Sequence, residues 1–261
     1  YQHHRIQTTD TIQLDAWWVP AQKKTKKTII LAHGLRSSKH GSRPLYLAGM
    51  YHQAGFNVLL FDYRNHGYSS CPTHKHSVGL YESDDLLSVK SWLEKEKKIP
   101  SQNIGVHGIS LGGLTAMIAL YKDKNLAAVF AETPAYDART VAATELKRYK
   151  VPSIMSPIII SMEELLMHHR LGMDVDEYTA KMGIDSLNNR PLMVLFAKND
   201  TRVPYYGHFK KMIFDAQTAR QPLDIIILEG ADHDGYMERM LAWYEKNAID
   251  FFNKYLSANT K

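Results

Sequence analysis

Cysteine is all but absent from this sequence: Cys71 stands alone among 261 residues, so no internal disulfide framework can hold the fold. That scarcity favours a reducing, cytoplasmic setting. Long apolar runs are lacking as well. None approaches the ~20 residues that a membrane helix needs, so no stable membrane span is expected in this chain. One-sided charge is missing too, since 32 Lys and Arg face 27 Asp and Glu for a formal net charge of +5. The one dense basic run, Lys23-Lys24-Thr25-Lys26-Lys27, lies between two strand-like segments and reads as a solvated loop. A nucleic-acid partner is therefore not expected, because a recognition face gathers its basic residues on one element. The chain opens on Tyr1 rather than Met, an opening that leaves room for a signal or anchor segment upstream.

What is present is hydrophobic content of 44%, enough to bury one sizeable core and too little chain for a comfortable second one. A single domain over 1–261 is expected. Residues 5–8 and 12–19 flank Thr9-Asp10-Thr11 and read as an antiparallel hairpin. Thr28-Ile29-Ile30-Leu31-Ala32 and Val58-Leu59-Leu60-Phe61 are continuous apolar runs of the kind found in strands buried on both faces, with a helix around 45–53 between them. A helix over 81–97 places Leu86, Val89 and Leu93 on one stripe. Strands follow at 104–108, 126–131, 192–197 and 223–228, with helices near 206–216 and 237–256; the last carries Met240, Tyr244, Ala248 and Phe251 or Phe252 on its stripe. From Glu132 to Arg190 there is no strand pattern, only helical stretches broken by Pro134, Pro152, Pro157, Gly172 and Gly183. Strands alternating with helices after a leading hairpin predict a mostly parallel sheet covered on both faces, with ligand-binding loops at the carboxyl ends of its strands.

Chemistry gathers at those ends. Gly108-Ile109-Ser110-Leu111-Gly112 sits between a short strand and a helix beginning at Leu111, the context that gives a G-x-S-x-G match its meaning. The serine must take a strained backbone there, and the flanking glycines leave room for strand and helix to meet. The helix also aims unsatisfied N–H groups and its positive end toward the site of a developing oxyanion. A serine hydroxyl needs a base, and the base needs an acid to fix its tautomer. Asp200 follows the strand at 192–197, and His233 follows the strand at 223–228. Asp62 and Glu132 are rival acids by position, and Asp200 could instead cap a helix. Asp232 and Asp234 flank His233 too closely along the chain to orient its ring. Cys71, His74 and His76 invite a metal reading, but a fourth ligand at recognisable spacing is absent, so no metal and no organic cofactor are expected.

The order Ser110, Asp200, His233 resembles that of the serine α/β-hydrolases, and the likeness extends over nearly the whole chain. His33-Gly34-Leu35 is similar to the HG-x oxyanion loop of that superfamily, which implies the backbone N–H groups of Leu35 and Leu111 as oxyanion donors. Asp62-Tyr63-Arg64-Asn65-His66-Gly67-Tyr68-Ser69 resembles its D-x-R-G-x-G-x-S loop, with Asn65 where glycine is usual; asparagine tolerates positive φ. The likeness is strongest to a bacterial branch of esterases, thioesterases and peptidase-like proteins with a helical lid insertion. It implies an α/β-hydrolase fold, a mostly parallel central sheet with an N-terminal antiparallel hairpin, helices on both faces, and 132–190 as a helical cap. Most apolar residues of its segments 154–155 and 157–167, such as Ile154, Met155 and Ile158, are expected to pack on the core, with a few facing the pocket. The activity implied is hydrolysis of a small to medium acyl ester or thioester, a small-molecule substrate, through an acyl-enzyme. A serine peptidase of the same fold and a catalytically idle binding protein remain as alternatives. The oligomeric state is not legible.

Overall fold

The computed structural model describes residues 1–73, 76–172, 174–233 and 235–256. Eight strands form one sheet among them: β1 (Gln2–Gln7), β2 (Gln13–Val19), β3 (Thr28–Ala32), β4 (Asn57–Phe61), β5 (Ile104–Ile109), β6 (Ala128–Glu132), β7 (Leu192–Ala197) and β8 (Asp224–Leu228). Their order is β1-β2-β4-β3-β5-β6-β7-β8, the α/β-hydrolase arrangement. The leading hairpin pairs antiparallel and joins β4 antiparallel, while every pairing from β4 to β8 is parallel. Register matters for function: Ala32 lies beside Gly108, Ile109 beside Glu132, and Ala197 beside Leu228, so the loops leaving these strands emerge at one end of the sheet.

The helices are α1 (Ser42–Gln53), α2 (Leu80–Glu96), α3 (Leu111–Lys122), α4 (Ala138–Arg148), α5 (Ser156–Leu171), α6 (Ala180–Asp185), α7 (Tyr205–Thr218) and α8 (Tyr236–Tyr255). The period-2 pattern of the central strands divides the interior. Ile30, Ala32, Leu59 and Phe61 face a cluster with Leu86, Val89 and Leu93 of α2 and residues of α3, α6 and α7. Ile29, Leu31, Val58 and Leu60 face the opposite cluster with α1 and α8. Helix α3 runs between sheet and neighbouring helices, and every residue from Leu111 to Leu120 is buried, which is why that stretch is apolar on all sides.

Most element boundaries fall within one or two residues of the sequence expectation. Helix α1 starts three residues earlier than expected, because Pro44 sits in its first turn, where a missing N–H costs nothing. The expected stripe of α8 holds at Tyr244, Ala248, Phe251 and Phe252, all buried. Met240 departs from it: the backbone there is non-helical (φ −134°, ψ 30°), which turns the side chain toward solvent.

Three histidines are held neutral by burial. His107 on β5 is pushed down to about 3, by desolvation and then by the neighbouring Arg43 cation. His33 after β3 and His208 on α7 are each pushed down to about 4, again chiefly by desolvation. The unfolded chain therefore binds more protons than the native one between about pH 4 and pH 6.5. Stability should fall as the pH drops through that window, by up to about 1.4 kcal/mol per pH unit for each histidine. Urea midpoints at pH 7 and pH 5 check this; an unchanged or higher midpoint at pH 5 would contradict it.

Candidate functional site

The site begins where β5 turns into α3. Ser110 has φ 54° and ψ −112°, a region that a residue with a side chain enters at a cost of about 1–3 kcal/mol. The cause is crowding on both sides. A Cβ on Gly108 would land on the carbonyl of Gly112, and one on Gly112 would land on the carbonyl of Ala32. With no side chains there, the start of α3 packs directly against the end of β3, and the chain between must bend sharply at Ser110. Its backbone N–H is fixed by a 2.8 Å bond to the Glu132 carbonyl, and its side chain is half-buried at the surface of the site.

The loop after β3 lies alongside. A Cβ built on Gly34 would sit 3.5 Å from both Ser110 Cβ and the Ile109 carbonyl oxygen. His33 Nδ1 lies 2.8 Å from the Gly34 carbonyl oxygen, and Ser37 N–H also donates to that oxygen at 3.2 Å. A neutral His33 with Nδ1 protonated satisfies this bond and leaves Nε2 to accept from Tyr63 N–H at 3.4 Å. Because the Gly34–Leu35 peptide is trans, holding its carbonyl on one side directs the Leu35 N–H to the other. Leu111 N–H is the first of α3 and has no carbonyl partner within its own helix.

Farther along the same sheet edge, Asp200 and His233 meet. His233 Nδ1 is 2.5 Å from Asp200 Oδ2, with both residues buried. Asp200 Oδ1 accepts from the backbone N–H groups of Arg202 and Val203, each at 2.8 Å, so the carboxylate is locked on one side and offers its other oxygen to the ring. That pairing places the imidazole proton on Nδ1 and leaves Nε2 as the basic nitrogen. Of the three carboxylates that compete by position, Asp200 is the one bonded to His233. Asp62 is committed to Lys39, through Nζ at 2.6 Å and the backbone N–H at 2.7 Å. Glu132 is committed to His107 at 2.7 Å, to Tyr244 at 2.5 Å and to Arg43. Asp232 accepts from Gly235 N–H at 2.6 Å and shapes its own loop; Asp234 lies outside the described residues.

Two positioning groups escaped sequence reasoning. Arg43, near the start of α1, pairs with the buried Glu132 carboxylate and donates from Nη1 to the His233 carbonyl at 3.2 Å. It thereby ties the histidine loop to the same residue whose backbone holds Ser110. Lys39 is completely buried, its Nζ shared between Asp15 at 2.5 Å and Asp62 at 2.6 Å, and it anchors the loop that carries Gly34 and Leu35. Neither residue sits in a motif, and their partners come from remote strands, so spacing gives no signal. In the 62–69 loop, Asn65 does adopt φ 61° in place of glycine. A Cβ on Gly67 would collide with the Asp62 carboxylate, which instead accepts from Tyr68 N–H at 3.0 Å.

A cavity of about 560 Å³ opens between Leu35 and the helices α4 and α5. Its walls include Val78, Val141, Leu146, Ile160 and Met167, interrupted by the Arg139–Glu164 ion pair at 2.5 Å. The expectation that most apolar residues of 154–155 and 157–167 pack on the core is corrected here. No described side chain of α5 is buried, and Ile154 and Ile158 are 82% and 62% exposed. The reason is that α5 lies over the cavity, so only Ile160, Met167 and their neighbours have something beneath them. Cys71 is exposed, and His74 lies outside the described residues. Among the described residues no group of three or more His, Cys, Asp or Glu could hold a metal, and no helix is long and apolar enough to cross a membrane.

Comparison with known proteins places the chain. It is 27% identical over 245 residues to the uncharacterized protein YqkD of Bacillus subtilis, spanning 89% of this chain and 73% of that one. It is 26% identical over 164 residues to the thiohydrolase aneE of Aspergillus aculeatus, spanning 63% of this chain and 49% of that protein. The fold matches that of the Pyrococcus furiosus esterase Pf2001 with a TM-score of 0.77 at 23% identity, over 98% of this chain and 93% of the other. Residues 45–259 match the prolyl oligopeptidase family as a whole. With that span, the elbow and the strand order in hand, the chain belongs to the prolyl oligopeptidase family of serine α/β-hydrolases.

Proposed function

We propose that this hydrolase cleaves a carboxylic ester or thioester of small to medium acyl size, with Ser110 as nucleophile, His233 as general base and then acid, and Asp200 as the group that orients the ring. The observation that carries the reading is the 2.5 Å bond between His233 Nδ1 and Asp200 on the same sheet end as a positive-φ Ser110. Ser110 Oγ attacks the carbonyl carbon while its proton passes to His233 Nε2. The oxyanion that forms is held by the N–H groups of Leu35 and Leu111. The protonated histidine then donates to the leaving oxygen or sulfur. Water, deprotonated by the same nitrogen, attacks the acyl-enzyme and frees Ser110.

The cavity supports the substrate class. Its apolar walls suit an acyl chain, flexible Met167 can adjust to its shape, and the volume falls in the ordinary range for small-molecule sites. In this reading residues 132–190 act as a helical cap that selects the acyl group, within one domain spanning 1–261. Family membership favours a second reading, a peptidase acting on amides. A peptide would have to enter past the same apolar walls.

A fluorophosphonate probe should label the wild-type chain at Ser110; a folded sample that stays unlabelled, or a Ser110→Ala variant that still labels, would reject the nucleophile assignment. Replacing Asp200 by Asn should leave the fold intact and lower kcat by about 10³–10⁴-fold, because the ring loses its preferred tautomer. A kcat within tenfold of wild type would remove Asp200 from its role. A panel of esters of graded acyl length, one acyl-CoA and one peptide amide should show kcat/KM highest for an ester or thioester; an amide turned over comparably would shift the reading to a peptidase.

A further inference from the structure

Helix α5 carries apolar residues on two faces. Ile160 and Met167 line the cavity beneath it together with Glu163 and Glu164, while Ile158, Met162 and Leu165 form an outward stripe at i, i+4 and i+7, joined by Pro157 and Ser161. Ile154 and Met155 extend the stripe at its amino-terminal end. The exposures are large: 60% for Met162 and 68% for Leu165, beside those of Ile154 and Ile158 above. A helix face of this kind, without a charged side chain along its centre, is not what a free protein surface carries.

Both ends of the stripe are basic. Exposed Lys147 and Arg148 end α4, exposed Tyr149 and Lys150 follow them ahead of α5, and exposed His168, His169 and Arg170 close α5. The charge pattern decides between occupants. Two copies of the chain packed stripe to stripe in antiparallel fashion would set Lys147, Arg148 and Lys150 of one against Arg170 of the other. Packed in parallel, they would set like ends together. Either way like charges oppose, on a chain whose net charge is already +5. An anionic lipid surface complements both features at once: acyl chains receive the stripe, and headgroups receive the basic ends.

We propose that the outer face of α5 docks this protein onto anionic lipid surfaces, as a peripheral contact with no membrane span. The cavity that α5 roofs would then lie just above the lipid. The docking itself does not depend on the roles assigned to Ser110, Asp200 or His233, and its test reads binding rather than activity.

The full chain would be sedimented with mixed phosphatidylcholine–phosphatidylglycerol vesicles and, separately, with phosphatidylcholine alone. Partitioning onto the anionic vesicles is expected to exceed that onto neutral ones and to weaken as salt is raised. The pair Ile158→Glu and Leu165→Glu should lower it by about tenfold or more. The pair Lys147→Glu and Lys150→Glu, which leaves the stripe intact, should lower it on anionic vesicles by about tenfold. Circular dichroism of each variant verifies the fold, and the lysine pair tests the proposal even if the stripe variant does not fold. Failure to bind anionic vesicles, or equal binding by folded variants, would overturn it. So would sedimentation equilibrium showing a dimer that the Ile158→Glu, Leu165→Glu pair abolishes, because the face would then belong to a second copy.

Discussion

The near-contact of β5, α3 and β3 at Gly108 and Gly112 is the constraint on which the rest of the site depends. Those two positions admit no Cβ, since backbone carbonyls occupy the space. Removing both side chains lets the helix begin almost on top of the neighbouring strand. The residue between them then has no relaxed conformation available, and Ser110 takes φ 54°. That strain is held by what surrounds it: Ser110 N–H is bonded to Glu132, and the residues that follow in α3 are buried on all sides. A backbone held this firmly keeps the hydroxyl in one place.

Around the elbow, buried charges position three loops that would otherwise be independent. Lys39 joins Asp15 on the leading hairpin to Asp62 after β4, and so pins the loop of Gly34 and Leu35. Arg43 joins Glu132 at the end of β6 to the His233 loop. Under Glu132, His107 and Tyr51 continue the chain of hydrogen bonds into the core, with the Tyr51 hydroxyl 2.7 Å from His107 Nδ1. Burying so many charges contributes little net stability, because each loses its water. Their effect is on geometry: an ionic group without its partner would be far costlier, so each loop has one acceptable position.

Between β6 and β7 the physics differs. Helices α4 and α5 cover a cavity instead of a packed core, and no described side chain of α5 is buried. Its apolar residues therefore fall into two groups, those above the cavity and those facing outward. Counting hydrophobic residues cannot separate the two, because both satisfy the composition of a core helix. The expectation of core packing failed for this reason, and the failure is what exposes the outward stripe.

The succession of strands and helices and the tight glycine-flanked turn at Ser110 were legible in the residues themselves, and chain order singled out Asp200 and His233 as candidates. The continuous apolar runs at 28–32 and 58–61 have the length and composition of strands buried on both faces, and glycines two residues either side of a serine between strand and helix have a steric meaning wherever they occur. Such features are local, and local sterics and periodicity carry over from sequence to structure without further information. The commitment of Asp62 to Lys39 and of Glu132 to His107 and Arg43, the anchoring parts of those two cations, and the outward turn of Ile158 and Leu165 were decided by tertiary structure alone. Each depends on which distant segment lies opposite: a carboxylate becomes a loop anchor or a core acceptor according to the cation or ring that packing brings within 3 Å of it, and an isoleucine becomes core or surface according to whether a sheet or a cavity lies beneath.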